Sequence, residues 1–170
     1  HQATRDDLRY LLALKKRAGL ELFFKAANFL RQKYHKNACC VHGIIEISNY
    51  CGRNCYYCGI SCLNKNIKRY RMSKKEILDS VEEAVVKYGF KALVLQSAED
   101  KDYSIDDLAD IIKTIKKRHA VLVFASFGEI GKIGLEKLFE AGSRGLLMRF
   151  ETSNPKIYEA LHPGYSLESR

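Results

Sequence analysis

Three cysteines, Cys51, Cys55 and Cys58, stand at C-x3-C-x2-C spacing, with Tyr57 directly before the third. They lie in the run I-S-N-Y-C-G-R-N-C-Y-Y-C, residues 47–58. Thiolates suit soft metals, so three on one loop point to zinc or to an iron–sulfur cluster. A structural zinc site closes with four ligands, commonly as two C-x2-C pairs. Here only three cysteines are tightly grouped, and the first gap is one residue too long for a paired knuckle. A 4Fe-4S cluster on three cysteines leaves one iron without a protein ligand, open to a small molecule. The spacing therefore suggests chemistry rather than a staple. Two other readings stay open: a chance grouping, and a zinc site completed by Cys62, Cys39 or His42.

The elements that must position these residues are readable on both sides. Residues 4–34 carry Leu8, Leu11 and Leu12, then Leu20, Phe23, Phe24, Ala27 and Leu30, at helical spacing. Thr4 with Asp7 resembles a capping box, and Gly19 is expected to separate two helices. This N-terminal segment, residues 1–40, reads as a lid or buttress. Beyond it the period changes. Strands are expected at Gly43 to Ile47, Ala92 to Leu95, Val121 to Ala125 and Gly145 to Met148. Helices are expected from Ser73, with Glu76 as its capping partner and Ile77, Val81, Ala84 and Val85 inward, and over Ile105 to Lys117, with Leu108, Ile111, Ile112 and Ile115 inward. A third covers Leu135 to Ala141, with Gly142 as its cap, and a fourth starts at Asn154-Pro155.

Fourfold strand–helix alternation with apolar strands means an α/β fold, a parallel sheet covered by helices. An open flavodoxin-like sheet and a partial TIM-type (β/α) barrel both satisfy it. Polar residues cluster where the strands end: the cysteine loop, then Gln96 to Asp100, then Ser126 to Glu129, then Arg149 and Glu151. In parallel barrels the carboxyl ends of the strands carry the active site.

Composition bounds the class. The chain has 170 residues, 46% of them apolar, which suits a globular domain of ordinary size. No run approaches the ~20 apolar residues of a membrane span, so no membrane partner is expected. No signal peptide is visible, and with His1 first the true start is expected upstream. Six cysteines outside a secretory context argue for metal binding in a reducing, cytoplasmic setting, with Cys39 and Cys40 as packing residues. The net charge of +9 is scattered over predicted helix faces, which reads as solvation rather than as a nucleic-acid surface.

The cysteine motif, with its aromatic before the third cysteine, resembles the signature of the radical S-adenosylmethionine (SAM) enzymes. Four further stretches narrow the likeness: His42 to Cys51, Lys68 to Met72, Leu95 to Asp100 and Arg149 to Pro155. Together they resemble the HydE family of FeFe-hydrogenase maturases, with biotin synthase and methylornithine synthase as relatives. The likeness covers residues 41–170. It implies a radical SAM barrel of six units, of which about four are in this sequence, so the chain reads as the front portion of a longer enzyme.

The resemblance also implies roles. Cys51, Cys55 and Cys58 would hold a 4Fe-4S cluster. Tyr57 would lie near the adenine of SAM. Ser97, Ala98 and Glu99 occupy the place of the family's Gly-Gly-Glu stretch, which meets the SAM amino group; Ala98 stands where glycine is common. Arg149, Glu151 and Arg170 would bind the ribose and carboxylate of SAM. The implied activity is reductive cleavage of SAM to a 5′-deoxyadenosyl radical, acting on a small cysteine-containing iron carbonyl-cyanide precursor during maturation of the hydrogenase cluster. The implied partners are a reductant protein such as a ferredoxin, and other hydrogenase maturases. Two alternatives accompany this reading: a radical SAM mutase or synthase acting on an amino acid, and a metal-binding module that contacts nucleic acid.

Overall fold

The computed structural model describes residues 2–36, 38 and 41–170. Two compact units divide the chain, residues 1–40 and 41–170. Cys39 and Cys40, read as packing residues, lie outside the described residues, as does Cys39 as a zinc ligand.

The first unit contains helices α1 (Arg5–Leu12) and α2 (Arg17–His35). Thr4 caps α1 reciprocally: its hydroxyl accepts from the Asp7 N–H at 3.2 Å, and the Asp7 carboxylate accepts from the Thr4 N–H at 2.8 Å. That satisfies two donors the helix start would otherwise leave open. The break between the helices falls at residues 13–16, not at Gly19. Gly19 sits in the first turn of α2, and a Cβ there would lie 3.2 Å from Leu14 Cδ2. Its missing side chain makes room for Leu14 to fold back across the turn. Neither helix has a buried residue.

The second unit is built on four parallel strands, β1 (Gly43–Ser48), β2 (Ala92–Ser97), β3 (Leu122–Ser126) and β4 (Gly145–Leu146), in the spatial order β1-β2-β3-β4. A flavodoxin-like sheet would place β1 between β2 and β3. The unbroken sequential order is that of a (β/α) barrel, of which these strands form an arc. Helices α3 (Lys74–Glu82, continued by a π-helical turn at Glu83–Lys87), α4 (Ile105–Arg118) and α5 (Gly131–Glu140) make the crossovers, and α6 (Pro155–Leu161) follows β4.

Strand alternation sorts the side chains. Ile47, Leu93, Leu95, Val123 and Ala125 face the helices and are at most 2% exposed. They meet Ile77 and Val81 of α3, the Leu108, Ile111, Ile112 and Ile115 stripe of α4, and Leu138 of α5 in one core. Burying each such side chain contributes about 1.5–3 kcal/mol. The other face carries Ile44, Val94 and Phe124 in register, and Ile44 is exposed.

The fourth strand is shorter than the sequence suggests. Leu147 N–H still donates to Ala125 O, but the chain then turns, with Thr152 N–H bonded to Phe150 O and Glu151 at φ 63°. Asn154 caps α6 through its side chain, and Pro155 occupies the first turn.

Candidate functional site

The cysteine loop follows β1 directly, yet residues 49–70 contain neither helix nor strand. Backbone groups outside regular structure still need partners. Here one side chain supplies many of them. Arg69 donates to the carbonyls of Asn49, Ile60 (2.8 Å), Ser61 (2.7 Å) and Asn64 (3.2 Å), drawing both ends of the loop onto one guanidinium. The planar fork of arginine suits this task, where a lysine would offer a point charge. Other ties come from the neighbouring strand ends and α6. Gly52 N–H donates to Glu99 O, Ala98 N–H to Ser48 O, and Tyr56 N–H to Leu161 O.

Beside the loop, the end of β2 is anchored by Asp100. Its side chain is 2% exposed and accepts from Arg71 Nη2 and Nε, at 2.6 and 2.7 Å, and from Ser48 Oγ at 2.5 Å. Burial raises the Asp100 carboxyl, but the Arg71 and Ser48 hydrogen bonds outweigh it and hold the group below its ordinary range.

Two arginines and two glutamates close a ring above the strand ends. Arg53 Nε bonds Glu99 Oε2 at 2.5 Å, and Arg53 Nη2 meets Glu129 Oε2 at 2.7 Å. Arg170 Nη1 reaches Glu99 Oε1 at 3.0 Å and Glu129 Oε1 at 3.2 Å, while its Nε donates to Arg149 O. Arg53 lies with its guanidinium 3.7 Å from the centre of the Tyr165 ring. Glu99 rests on Gly128, whose φ is 73° and where a Cβ would stand 2.1 Å from Glu99 Cγ. Only glycine serves there.

The cysteine loop, Arg53, Glu99, Gly128 and Arg170 border a cavity of about 220 Å³. All ten residues singled out for cluster and cofactor line it: Cys51, Cys55, Cys58, Tyr57, Ser97, Ala98, Glu99, Arg149, Glu151 and Arg170. Arg149 and Glu151 are exposed and make no ion pair among the described residues. Glu151 sits at the apex of the tight turn after β4, a backbone conformation that costs a non-glycine residue about 1–3 kcal/mol. Such strain is commonly stored where a side chain must be aimed.

Four residues of the site were not assigned a role from the sequence. Arg53 is the sole charged residue between Cys51 and Cys62, which was the available signal. Glu129 stood among the polar residues after β3, but nothing local indicated its partners. His162 and Tyr158 come from α6 and its end, about 100 residues or more from the cysteines, and no local pattern marks them. His162 is buried and stacks on Tyr158. Its Nδ1 donates to the Tyr158 carbonyl at 2.8 Å, so in the neutral ring Nε2 accepts from the Tyr57 hydroxyl at 2.8 Å. Burial first, then the Cys55 and Glu151 charges, push the Tyr57 hydroxyl above its ordinary range and keep it a neutral donor.

The donor set discriminates between metals. Cys51, Cys55, Cys58 and Cys62 are free and half-buried. Burial, then the neighbouring Cys51 and Cys58, push the Cys55 thiol up. Among the described residues, no three His, Cys, Asp or Glu side chains converge as they must on a single ion. In a four-iron cluster each thiolate takes its own iron, so convergence on one point is not required. His42, considered as a fourth zinc ligand, precedes β1 and stacks on Phe124. It is separated from the loop by the length of that strand, about 20 Å for six residues. Cys62 lines a different hollow, with Cys51 but without Cys55 or Cys58. The three thiols fit a cluster better than they fit zinc. Asn54, between Arg53 and Cys55, has a buried amide oxygen without a partner among the described residues.

A family model described as the Radical SAM superfamily matches residues 45–170. The chain is 43% identical over 167 residues to the FeFe hydrogenase maturase subunit HydE of Thermotoga maritima, a match covering 98% of this chain and 47% of that protein. It is 30% identical over 172 residues to 3-methylornithine synthase of Methanosarcina barkeri, covering 100% of this chain and 49% of that one. Among solved structures, methylornithine synthase (PylB) matches with a TM-score of 0.88 at 29% identity, over 99% of this chain and 50% of the other. HydG, a maturase of the FeFe-hydrogenase, matches with a TM-score of 0.85 at 27% identity, over 95% and 37%. The chain thus spans about half the length of the curated relatives it matches.

Proposed function

The chain belongs to the radical SAM superfamily, and from that premise we propose that its cavity binds a 4Fe-4S cluster and SAM for a step in FeFe-hydrogenase active-site maturation. The family implies both groups. One observation carries the assignment to residues: the three cysteines and the seven side chains matched to cofactor binding all line one cavity at the carboxyl ends of the strands. The identity to HydE supports maturation as the process. A radical SAM synthase acting on an amino acid is the second reading, supported by the TM-score of 0.88 to PylB. With the family shown, the nucleic-acid-binding module loses its support. Among the described residues no helix is long and apolar enough to cross a membrane.

A 4Fe-4S cluster held there would supply the single electron that reductive cleavage of the SAM carbon–sulfur bond to a 5′-deoxyadenosyl radical needs. Each further contribution is the chain's own. Cys51, Cys55 and Cys58 would each hold one iron, and the Arg53 N–H, 3.4 Å from Cys51 Sγ, would temper that sulfur's charge. Arg149 offers a guanidinium fork to a carboxylate. Glu151 accepts from hydroxyls such as those of a ribose. Glu99 offers a carboxylate to an ammonium. Tyr57, tied by its hydroxyl to His162, presents a fixed ring face on which a nucleobase can stack. A reductant protein such as a ferredoxin, and companion maturases, are the partners this reading requires.

The test measures iron, acid-labile sulfide and zinc in the anaerobically reconstituted protein and in a Cys51→Ala/Cys55→Ala/Cys58→Ala variant, with SAM affinity in Arg149→Ala alongside. About four irons and four sulfides in the wild type and none in the triple variant are expected. Arg149→Ala should keep the cluster and bind SAM roughly tenfold more weakly, the loss of one charge-assisted contact. Stoichiometric zinc without sulfide would sink the proposal.

A further inference from the structure

Residues 47–75 hold seven basic side chains and no acidic one. Carboxylates from elsewhere neutralise four of them: Glu99 and Glu129 pair with Arg53, Asp100 and Asp102 with Arg71, Asp110 with Lys74, and Asp79 with Lys75. Lys65, Lys68 and Arg69 have no such partner among the described residues. Every acceptor of Arg69 is a carbonyl, which holds the side chain in place but leaves its charge uncancelled. Lys65 Nζ donates to the Cys62 carbonyl at 2.8 Å. Both lysines are exposed.

These three charges stand around a second opening beside the cysteines. Tyr50, Cys51, Cys62, Lys65, Ile67 and Arg69 line a hollow of about 310 Å³. Lys68 is held at its edge, because its carbonyl accepts from the Asn49 side chain at 2.9 Å, next to Tyr50. Cys51 is the one residue that this hollow shares with the cysteine-lined cavity. It is thus a wall between a cavity of small-molecule size and a basic hollow on the loop's other side. Apolar surface lies here too: Tyr50 is 41% exposed, and Leu63, between Cys62 and Asn64, is 58% exposed. Apolar contacts set among charges are the make-up of a transient protein interface, in which complementary charge speeds the encounter.

We propose that this face of the cysteine loop is the docking surface for an acidic electron-donor protein, with Lys65, Lys68 and Arg69 meeting its carboxylates and Cys51 as the ligand through which its electron reaches the cluster. The inference rests on the reading of the cavity as a cluster site, and it gives a place and a charge to a partner which that reading leaves unplaced. One electron leaves the donor's reduced centre, which is oxidised, and the cluster is reduced by it. No bond forms or breaks. A donor protein cannot enter a cavity of about 220 Å³, so its electron must cross a wall, and Cys51 is the wall that borders both sides. Nucleic acid is the other polyanion that a basic surface meets. Its affinity grows with the number of phosphates neutralised, and three cations around one hollow are few. A cluster ligand in the wall also gives a nucleic acid nothing, whereas it gives an electron donor a route.

The test uses a purified bacterial ferredoxin as the acidic donor. It compares wild type, Lys65→Glu/Lys68→Glu and, as a control for net charge, Lys113→Glu/Lys117→Glu on the exposed side of α4. Binding of oxidised ferredoxin is measured by calorimetry at low and at physiological salt. The loop variant should bind roughly tenfold more weakly, and the α4 variant within about twofold of wild type. Wild-type binding should weaken as salt screens the charges. A carbodiimide, which joins a lysine to a carboxylate it touches, should couple ferredoxin to Lys65 or Lys68 of the wild type. Reduction of the loaded cluster by reduced ferredoxin should slow by the same factor in the loop variant. Reduction by photoreduced deazariboflavin, which is uncharged and needs no docking, should not change. Melting curves and iron content check that the variants fold and load, and the cross-linking needs the wild type alone. Unchanged ferredoxin binding by the loop variant overturns the proposal, as do equal losses in both variants, which would make the effect one of net charge, and cross-links confined to other lysines. A single-stranded RNA that binds more tightly than ferredoxin, and is lost in the loop variant, would make this a nucleic-acid surface instead. A wild type that takes up no cluster overturns the proposed function. One that takes up the cluster but binds no ferredoxin overturns the docking surface alone.

Discussion

Helix α4 and the cysteine loop are both firmly placed, by opposite means. Helix α4 starts at Ser104, whose hydroxyl accepts from Asp107 N–H while the Asp107 carboxylate accepts in return. It then buries Leu108, Ile111, Ile112 and Ile115, each at most 3% exposed. Its cap is the residue before its own 14, and the rest of what buries it is the apolar face it presents. Residues 49–70 have no such internal logic. They are held by charged groups reaching across: Arg69 within the loop, Arg53 to Glu99 and Glu129, and Arg71 to Asp100. A core element is stabilised by area removed from water, and a loop that must present three thiols is stabilised by hydrogen bonds to its carbonyls. The second method leaves the cavity open.

Ile112→Ala tests the first side of that contrast and should have the largest effect. The side chain is fully buried between sheet and helices, so its truncation should cost about 2–5 kcal/mol by denaturant titration. Iron content per folded molecule should not change. Loss of the cluster in the folded fraction would mean that core and loop are not separable.

Arg69→Met should act the other way round. The local stability of the loop should fall by about 1–3 kcal/mol, from hydrogen bonds to a charged donor that methionine cannot replace. Hydrogen exchange should accelerate over residues 58–64, while α4 amides stay protected. If the α4 amides loosened equally, the loop would prove to be part of the cooperative core.

The smallest effect is expected from Asp100→Asn, and it appears as a pH dependence. The folded Asp100 carboxyl is held below its ordinary value of 3.8. Its contribution is therefore fully present above that value and fades as pH falls through the lower folded pKa. Near neutral pH the substitution should cost about 1 kcal/mol, because Arg71 keeps Asp102 as a partner. The gap between variant and wild type should close in acid. A constant gap down to pH 2 would show that Asp100 contributes through shape and not through charge.

Much of the fold was legible because its causes are local. Ser73 with Glu76, Asn154 with Pro155, and the α4 stripe each specify an element from within a few residues. The cysteine spacing was equally local, since all three thiols fall within residues 51–58 of one loop. Where local signals competed they misled. Gly19 looked like a helix break, but it lies inside α2, where a Cβ would stand 3.2 Å from Leu14 Cδ2. The apolar run from Gly145 looked like a full strand, but ladder bonding stops after Leu147 and the chain turns to aim Glu151 at the cavity.

By itself the sequence determined the alternation, the apolar faces, the thiol trio and the polar residues at the strand ends, because each depends on periodicity or spacing along the chain. Tertiary structure alone decided the strand order, and with it a barrel arc over an open sheet. It also decided the partners of the charged residues. Nothing between Arg53 and Glu99, 46 positions apart, or between Arg170 and Glu129, 41 apart, signals that they meet. Ionic and aromatic partners, unlike apolar stripes, carry no period. They are chosen by which loops the parallel strands bring to the same end of the sheet.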